Sequence, residues 1–209
     1  DAEPLSDAIL QAWFPGTEAG PAIAEILSGK AQPEGKLTIS FPYAEGQLPL
    51  YYNCFQTGRP QLPDKKDEIY VSHYIDCQNE PLYPFGYGLS YTEYAYSDLE
   101  LSGKKMHPGE QITVSVQVKN TGKRPGREIV QLYLRDCSAS VVRPIKQLRG
   151  YRKVQLDPGE QKKVSFTITE EDLMFWNNEE QKLAEPGRFL VMVGPDSERL
   201  VVDEFYYEI

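Results

Sequence analysis

Gln111-Ile112-Thr113-Val114-Ser115-Val116-Gln117-Val118-Lys119 alternates apolar and polar side chains without a break. Successive strand residues point to opposite faces of a sheet. This order therefore puts Ile112, Val114, Val116 and Val118 on a buried face and Thr113, Ser115 and Gln117 on a wet one. The same period of two recurs down the chain. Val130, Leu132 and Leu134 set it within Glu128 to Arg135, and Val164, Phe166 and Ile168 within Lys163 to Thr169. Phe189, Val191 and Val193 mark a further strand, Leu200 to Tyr207 ends the set, and Tyr94 to Leu101 and Leu148 to Leu156 supply two more.

Turn signals punctuate these runs: His107-Pro108-Gly109-Glu110, Asn120-Thr121-Gly122, Asp157-Pro158-Gly159-Glu160 and Glu185-Pro186-Gly187-Arg188. Proline followed by glycine suits a type II turn, because proline sets φ at the second position and glycine accepts positive φ at the third. Glu170-Glu171-Asp172-Leu173 reads as one helical turn crossing between sheets. About seven short strands with this punctuation predict an immunoglobulin or fibronectin type III sandwich over residues 93–209. The Cys–Trp–Cys spacing of antibody domains is missing, so the fibronectin-like form is favoured.

Upstream of the first strand, Tyr83-Pro84-Phe85-Gly86-Tyr87-Gly88-Leu89-Ser90-Tyr91 is too aromatic for a free linker. Pro84 fixes its φ, Gly86 and Gly88 open angles closed to other residues, and each ring carries a large apolar area. Residues 61–92 are read as a buried junction, with Trp13, Tyr83, Phe85, Tyr87 and Tyr91 as its interdomain packing candidates.

Residues 1–60 differ again. Ala8 to Phe14 is an apolar run ended by Pro15-Gly16, as expected of a buried strand. Glu18 to Ser28 reads as a helix capped by Thr17, with Ile23, Ile26 and Leu27 on one face and Gly29 at its end. Leu37, Ile39 and Phe41 alternate with polar neighbours before Pro42. Strand, helix and strand predict one βαβ crossover, an incomplete α/β segment, since parallel strands need both sheet faces covered. Tyr43 to Lys66 has no periodicity and reads as a long irregular excursion, and Ile69 to Ile75 as a short strand or extended segment. The whole is a mainly β protein with an α/β remnant in front.

At 209 residues with a net charge of −9, the chain is a poor match for a nucleic-acid backbone, which demands clustered lysine and arginine. No apolar run is long enough to span a membrane as a helix. Cys54, Cys77 and Cys137 are an odd, widely spaced set, which with the lack of a secretory signature slightly favours a cytoplasmic setting.

Sites that carry chemistry are hard to find. His73 and Cys77 share i,i+4 spacing, but no helix is expected there and no third metal ligand is evident. Gly16-Thr17-Glu18-Ala19-Gly20 lies between strand and helix yet lacks both phosphate-loop patterns. Glu170, Glu171 and Asp172, like Glu179 and Glu180, are adjacent acids of exposed turns rather than a pair held across a scissile bond. Ser72 beside His73 is adjacency, not a nucleophile with its base. Arg143, Lys146, Arg149, Arg152 and Lys153 keep no single face along an extended chain and read as a solvated strand or an ion-pair network. No catalytic, cofactor-binding or metal-binding residue is assigned, and no cofactor is expected.

Three stretches carry a resemblance. Ala12-Trp13-Phe14-Pro15-Gly16, Ala22 to Gly29 and Pro33 to Pro42 resemble the closing segment of the α/β-sandwich domain of family 3 glycoside hydrolases. Glu80-Pro81-Leu82, the junction and Ser97-Asp98-Leu99 are similar to that family's passage into its fibronectin type III-like domain. Val118 to Gly122, Val130 to Tyr133, Arg143 to Tyr151 and Pro186 to Phe189 resemble that domain itself. One departure is that Ile69 to Ile75 has neither Gly nor Arg, where the family often has a Gly-Tyr-Arg-Tyr-like run.

The resemblance implies an enzyme that removes terminal β-linked glucose or xylose with retention. It also implies that the nucleophilic aspartate and the acid/base glutamate lie outside this chain, since the family's barrel alone needs about 250 residues. Its expected partners are the barrel and the rest of the α/β domain, with carbohydrate bound only by that larger protein. Exchange of the remnant with a second copy, giving a homodimer, is the other way to cover it. The competing reading is an independent carbohydrate-binding or adhesive sandwich, which calls for a planar row of exposed aromatic rings.

Overall fold

A computed structural model describes residues 3–61 and 68–209, so the expected irregular excursion lies outside the described residues from 62 to 66. The chain divides into two compact units, one ending at Pro33 and the other running from Glu34 to Ile209.

Seven main strands form where the alternation places them: β1 (Tyr94–Leu101), β3 (Gln111–Asn120), β4 (Gly126–Asp136), β5 (Gln147–Leu156), β6 (Gln161–Thr169), β9 (Gly187–Gly194) and β10 (Val201–Tyr207). Short pieces β2 (Lys105–Met106), β7 (Phe175–Trp176) and β8 (Lys182–Leu183) join them. One sheet has the order β1-β3-β6 and the other β2-β10-β9-β4-β5, while β7 and β8 pair separately. The main pairings are antiparallel, and β2 lies parallel to β10.

Between the two sheets sits one core. Ile112, Val114, Val116 and Val118 meet Val130, Leu132 and Leu134, joined by Phe166, Phe189, Val191 and Phe205. Every one of these falls on the parity that sequence alternation sends inward. The expected helical turn forms as Glu170–Leu173, with Thr169 and Asp172 making a capping box. The sandwich is the fibronectin-like one expected of residues 93–209.

Two of the proline–glycine turns take the expected form. Gly109 and Gly159 adopt φ of 79° and 78°, and Glu110 and Glu160 close their turns onto His107 and Asp157. The third does not. Gly187 already belongs to β9, paired with Tyr207, so a strand begins where a turn was expected.

The front of the chain departs further. A helix, α1 (Ala19–Leu27), forms and ends at Gly29 with φ of 73°. Its N-cap is Glu18 rather than Thr17, with no side-chain cap. The strand expected at Ala8 to Phe14 is absent, and so is the parallel strand at Lys36 to Phe41. A βαβ strand is held only by neighbours in its sheet, and among the described residues no parallel neighbour is present. Residues 37–41 run antiparallel to the aromatic junction instead. Leu37 and Phe41 donate to the carbonyls of Tyr87 and Tyr83 at 2.7 and 2.8 Å, and Gly86 donates to Leu37 at 2.8 Å. Ile39, expected inside, is exposed.

Candidate functional site at the aromatic junction

Gly86 anchors the junction on the sandwich. Its φ of 81° is open to glycine alone without strain, and a Cβ there would lie 2.2 Å from the side-chain oxygen of Gln131. Gln131 is buried on β4. It donates to the carbonyls of Gly86 (3.2 Å) and Pro195 (2.5 Å) and accepts from the Tyr133 hydroxyl. The Ser197 amide donates to the carbonyl of Phe85 at 2.9 Å. A polar hub of this kind fixes register, because any shift strands buried donors and acceptors.

Rings fill the space around the hub. Phe85 stacks on Tyr52 with centroids 4.2 Å apart, and Tyr52 meets the fully buried Tyr133 edge-on at 5.9 Å. Tyr83 stacks on Tyr87 at 5.1 Å and meets Phe41 edge-on at 6.2 Å. The Arg199 guanidinium lies over Tyr87, and Arg124 over Tyr91. Burial, and next the neighbouring Tyr52, push the Tyr133 hydroxyl well above the ordinary tyrosine value. Trp13, the fifth packing candidate, lies in the other unit with φ of 51° and is about half exposed. Of the five candidates, Tyr83, Phe85 and Tyr87 make ring stacks, Tyr91 meets Arg124, and Trp13 falls in the other unit.

A buried ion pair completes the contact. Lys36 reaches Glu128 at 3.2 Å and donates to the carbonyl of Gly88 at 3.1 Å, while the Tyr96 hydroxyl donates to Glu128 at 2.9 Å. Burial pushes the Glu128 carboxyl above its ordinary range, and Lys36 and Tyr96 pull it back only in part. Neither Lys36 nor Gln131 was singled out from sequence. Glu128 had a signal: it shares the inward parity of Val130 and Leu132, where a charge needs a partner. Asn120, at the inward parity of β3, is the same case. Fully buried, it accepts from Thr92 and Gly122 and donates to Arg124 and Leu156.

The residues considered for chemistry serve the fold. Glu170 accepts from the Gly109 amide and the Tyr207 hydroxyl, Asp172 caps Thr169, and Glu171 faces Lys182. His73 Nδ1 lies 2.9 Å from the carbonyl of Val71, and Cys54, Cys77 and Cys137 are all free. Among the described residues no group of three or more His, Cys, Asp or Glu is placed to hold a metal. The basic stretch disperses into pairs: Arg143 with Asp136, Lys146 with Glu198, and Lys153 with Glu34.

Relatives share both parts of the chain. Residues 1–91 match the glycosyl hydrolase family 3 C-terminal domain, and residues 128–197 match the fibronectin type III-like domain. A periplasmic beta-glucosidase of Salmonella typhimurium is 52% identical over 200 residues, an alignment covering 96% of this chain and 26% of that protein. A beta-xylosidase of Formosa agariphila is 41% identical over 189 residues, covering 90% of this chain and 25% of the relative. The beta-glucosidase of Listeria innocua, solved in complex with glucose, superimposes with a TM-score of 0.95 at 47% identity, covering 99% of this chain and 29% of that one. The chain therefore spans about a quarter of the length of these relatives. It belongs to glycosyl hydrolase family 3, with residues 1–91 carrying that family's C-terminal domain sequence and residues 128–197 a fibronectin type III-like domain.

Proposed function

We propose that these residues form a non-catalytic, accessory region of a retaining β-glycosidase that releases terminal β-linked glucose or xylose. Its part is to brace the catalytic domains and shape the rim of their cleft. One observation carries this reading: α1 buries none of its residues, its own Leu27 is exposed, and so is Phe14 ahead of it in the chain. An apolar helix face of that kind needs the remaining strands of an α/β layer to cover it. The junction supports the same role. Its rings and its Gln131 hub are spent on packing, so they offer a rigid seat rather than an open ligand site.

The surrounding open reading frame tests the proposal. A barrel encoded in the same frame is the expected result, and start and stop codons bounding these 209 residues overturn it. The isolated chain is expected to leave an aryl β-glucoside untouched. Saturable binding of cello- or xylo-oligosaccharides by the chain alone, measured by calorimetry, would instead make it an independent carbohydrate-binding module.

A further inference from the structure

The irregular excursion ahead of the junction is turned inside out. Its described residues, 43–61 and 68–80, form no strand, yet polar side chains lock their backbone. Gln47 is buried; it accepts from the Tyr43 amide at 2.5 Å and donates to the carbonyls of Gln78 (2.8 Å) and Glu80 (3.2 Å). Asn79 donates to Gln61 at 2.9 Å and to the carbonyl of Ser72 at 3.0 Å, and it accepts from the Tyr74 amide at 3.1 Å. The Ser72 amide donates to the carbonyl of Arg59 at 2.7 Å, which ties the two limbs together. Three neighbouring residues pin the first limb to the sandwich. Tyr52 packs on Phe85 and Tyr133, the Cys54 carbonyl accepts from the Ile145 amide at 3.0 Å, and Gln56 accepts from Arg135.

With the polar groups spent inward, the apolar ones face water. Tyr51 and Phe55 flank the pinned residues and are exposed, as are Leu48, Ile69, Tyr70 and Ile75, the last of them 99% exposed. Large apolar side chains left in water crowd into this part of the chain and are sparse on the longer sandwich. Such a concentration on a backbone held by its own hydrogen bonds marks a surface with a partner. Carbohydrate fits it poorly, because Leu48, Ile69 and Ile75 offer no ring face for a sugar to stack on. A second copy would need this irregular surface to complement itself about a twofold axis. A neighbouring domain of the same polypeptide needs no such match, and a short tether holds it at millimolar effective concentration.

We propose that residues 48–55 and 69–75 are a docking surface for an apolar protein face carried by the longer polypeptide outside these residues. This rests on the accessory reading above and names where its bracing contact is made, since the chain covers only about a quarter of its relatives. The partner face is apolar and carries hydrogen-bond acceptors for the Tyr51 and Tyr70 hydroxyls, because a phenol buried without one loses its bond to water. The backbone is already locked by Gln47 and Asn79, so docking orders little more than side chains.

Nitration of the longer polypeptide by tetranitromethane, followed by mass spectrometry, tests it, with Tyr151 of the sandwich as the internal reference. Tyr51, Tyr70 and Tyr151 are 65%, 74% and 62% exposed here, so exposure in this structure calls for similar rates. With each rate normalised to the urea-unfolded protein, Tyr51 and Tyr70 are expected to react at least about tenfold more slowly than Tyr151, the factor that 1.4 kcal/mol of docking represents. That ratio should not change on dilution or on adding cello-oligosaccharides. Ile75→Asp puts a charge into the contact and should bring the Tyr70 rate towards that of Tyr151; the milder Ile75→Ser should do so in part if the first variant does not fold. The proposal is overturned if Tyr51 and Tyr70 react as fast as Tyr151, if dilution releases them, as a second copy would require, or if their protection needs the sugar. In each of these cases the accessory reading still stands if the reading frame encodes the barrel, whereas a frame without one overturns both.

Discussion

Single residues at the junction carry unusual weight because each settles several buried groups at once. Gly86 combines positive φ with contact against Gln131. Gly86→Ala is expected to cost about 2 kcal/mol or more in urea unfolding, and pairing it with Gln131→Ala should recover part of the loss. Lys36 and Glu128 give a test in pH. Glu128 holds its proton in the folded state to a higher pH than its ordinary 4.5, so the folded state binds more protons than the unfolded state across that window. Stability from this group is therefore present below pH 4.5 and is lost as pH rises through the raised value. Glu128→Gln should abolish that slope, read from unfolding midpoints measured across the window. Lys36→Met leaves a buried carboxylate with only Tyr96 to answer it and is expected to cost about 3 kcal/mol at neutral pH. Of this site, Glu128 and Asn120 were readable as polar residues on a core parity. Their partners were not, since Lys36 is 92 positions from Glu128 along the chain and no local pattern links them.

At the level of elements, the strands were legible and their ends less so. Sustained alternation has one interpretation, and β1, β3, β4, β5, β6, β9 and β10 form where it places them. Turn dipeptides were a weaker guide. The same proline–glycine pair makes a tight turn at Gly109 and Gly159 but opens a strand at Gly187, where pairing with Tyr207 outweighs the local preference. Gly109→Ala and Gly159→Ala should each cost about 1 kcal/mol for the positive φ, while Gly187→Ala should be milder; thermal unfolding of the three variants compares them directly. The expected strands at 8–14 and 36–41 failed for a different reason. A strand is stable only when its hydrogen bonds find a neighbour, and the partner of residues 37–41 is the junction, in the opposite direction.

For the molecule as a whole, the unit from Glu34 to Ile209 holds the buried core, and the unit ending at Pro33 has a helix with no buried residue. Limited proteolysis of the chain is expected to remove the residues before Pro33 first and leave a product beginning near Glu34; equal resistance of both parts would contradict this burial pattern. The sequence by itself determined the sandwich, because alternation is a local property and a buried face must be apolar. It also determined the kinship, through motifs kept in order along nearly the whole chain. Only the tertiary structure decided what covers the outer face of β4. Gln131 and Tyr133 sit at positions that alternation assigns to solvent, yet both are buried, beneath Tyr52, Phe85 and Gly86. Burial on that second face depends on segments distant along the chain coming to lie on it, and the spacing of side chains within one strand holds no information about that.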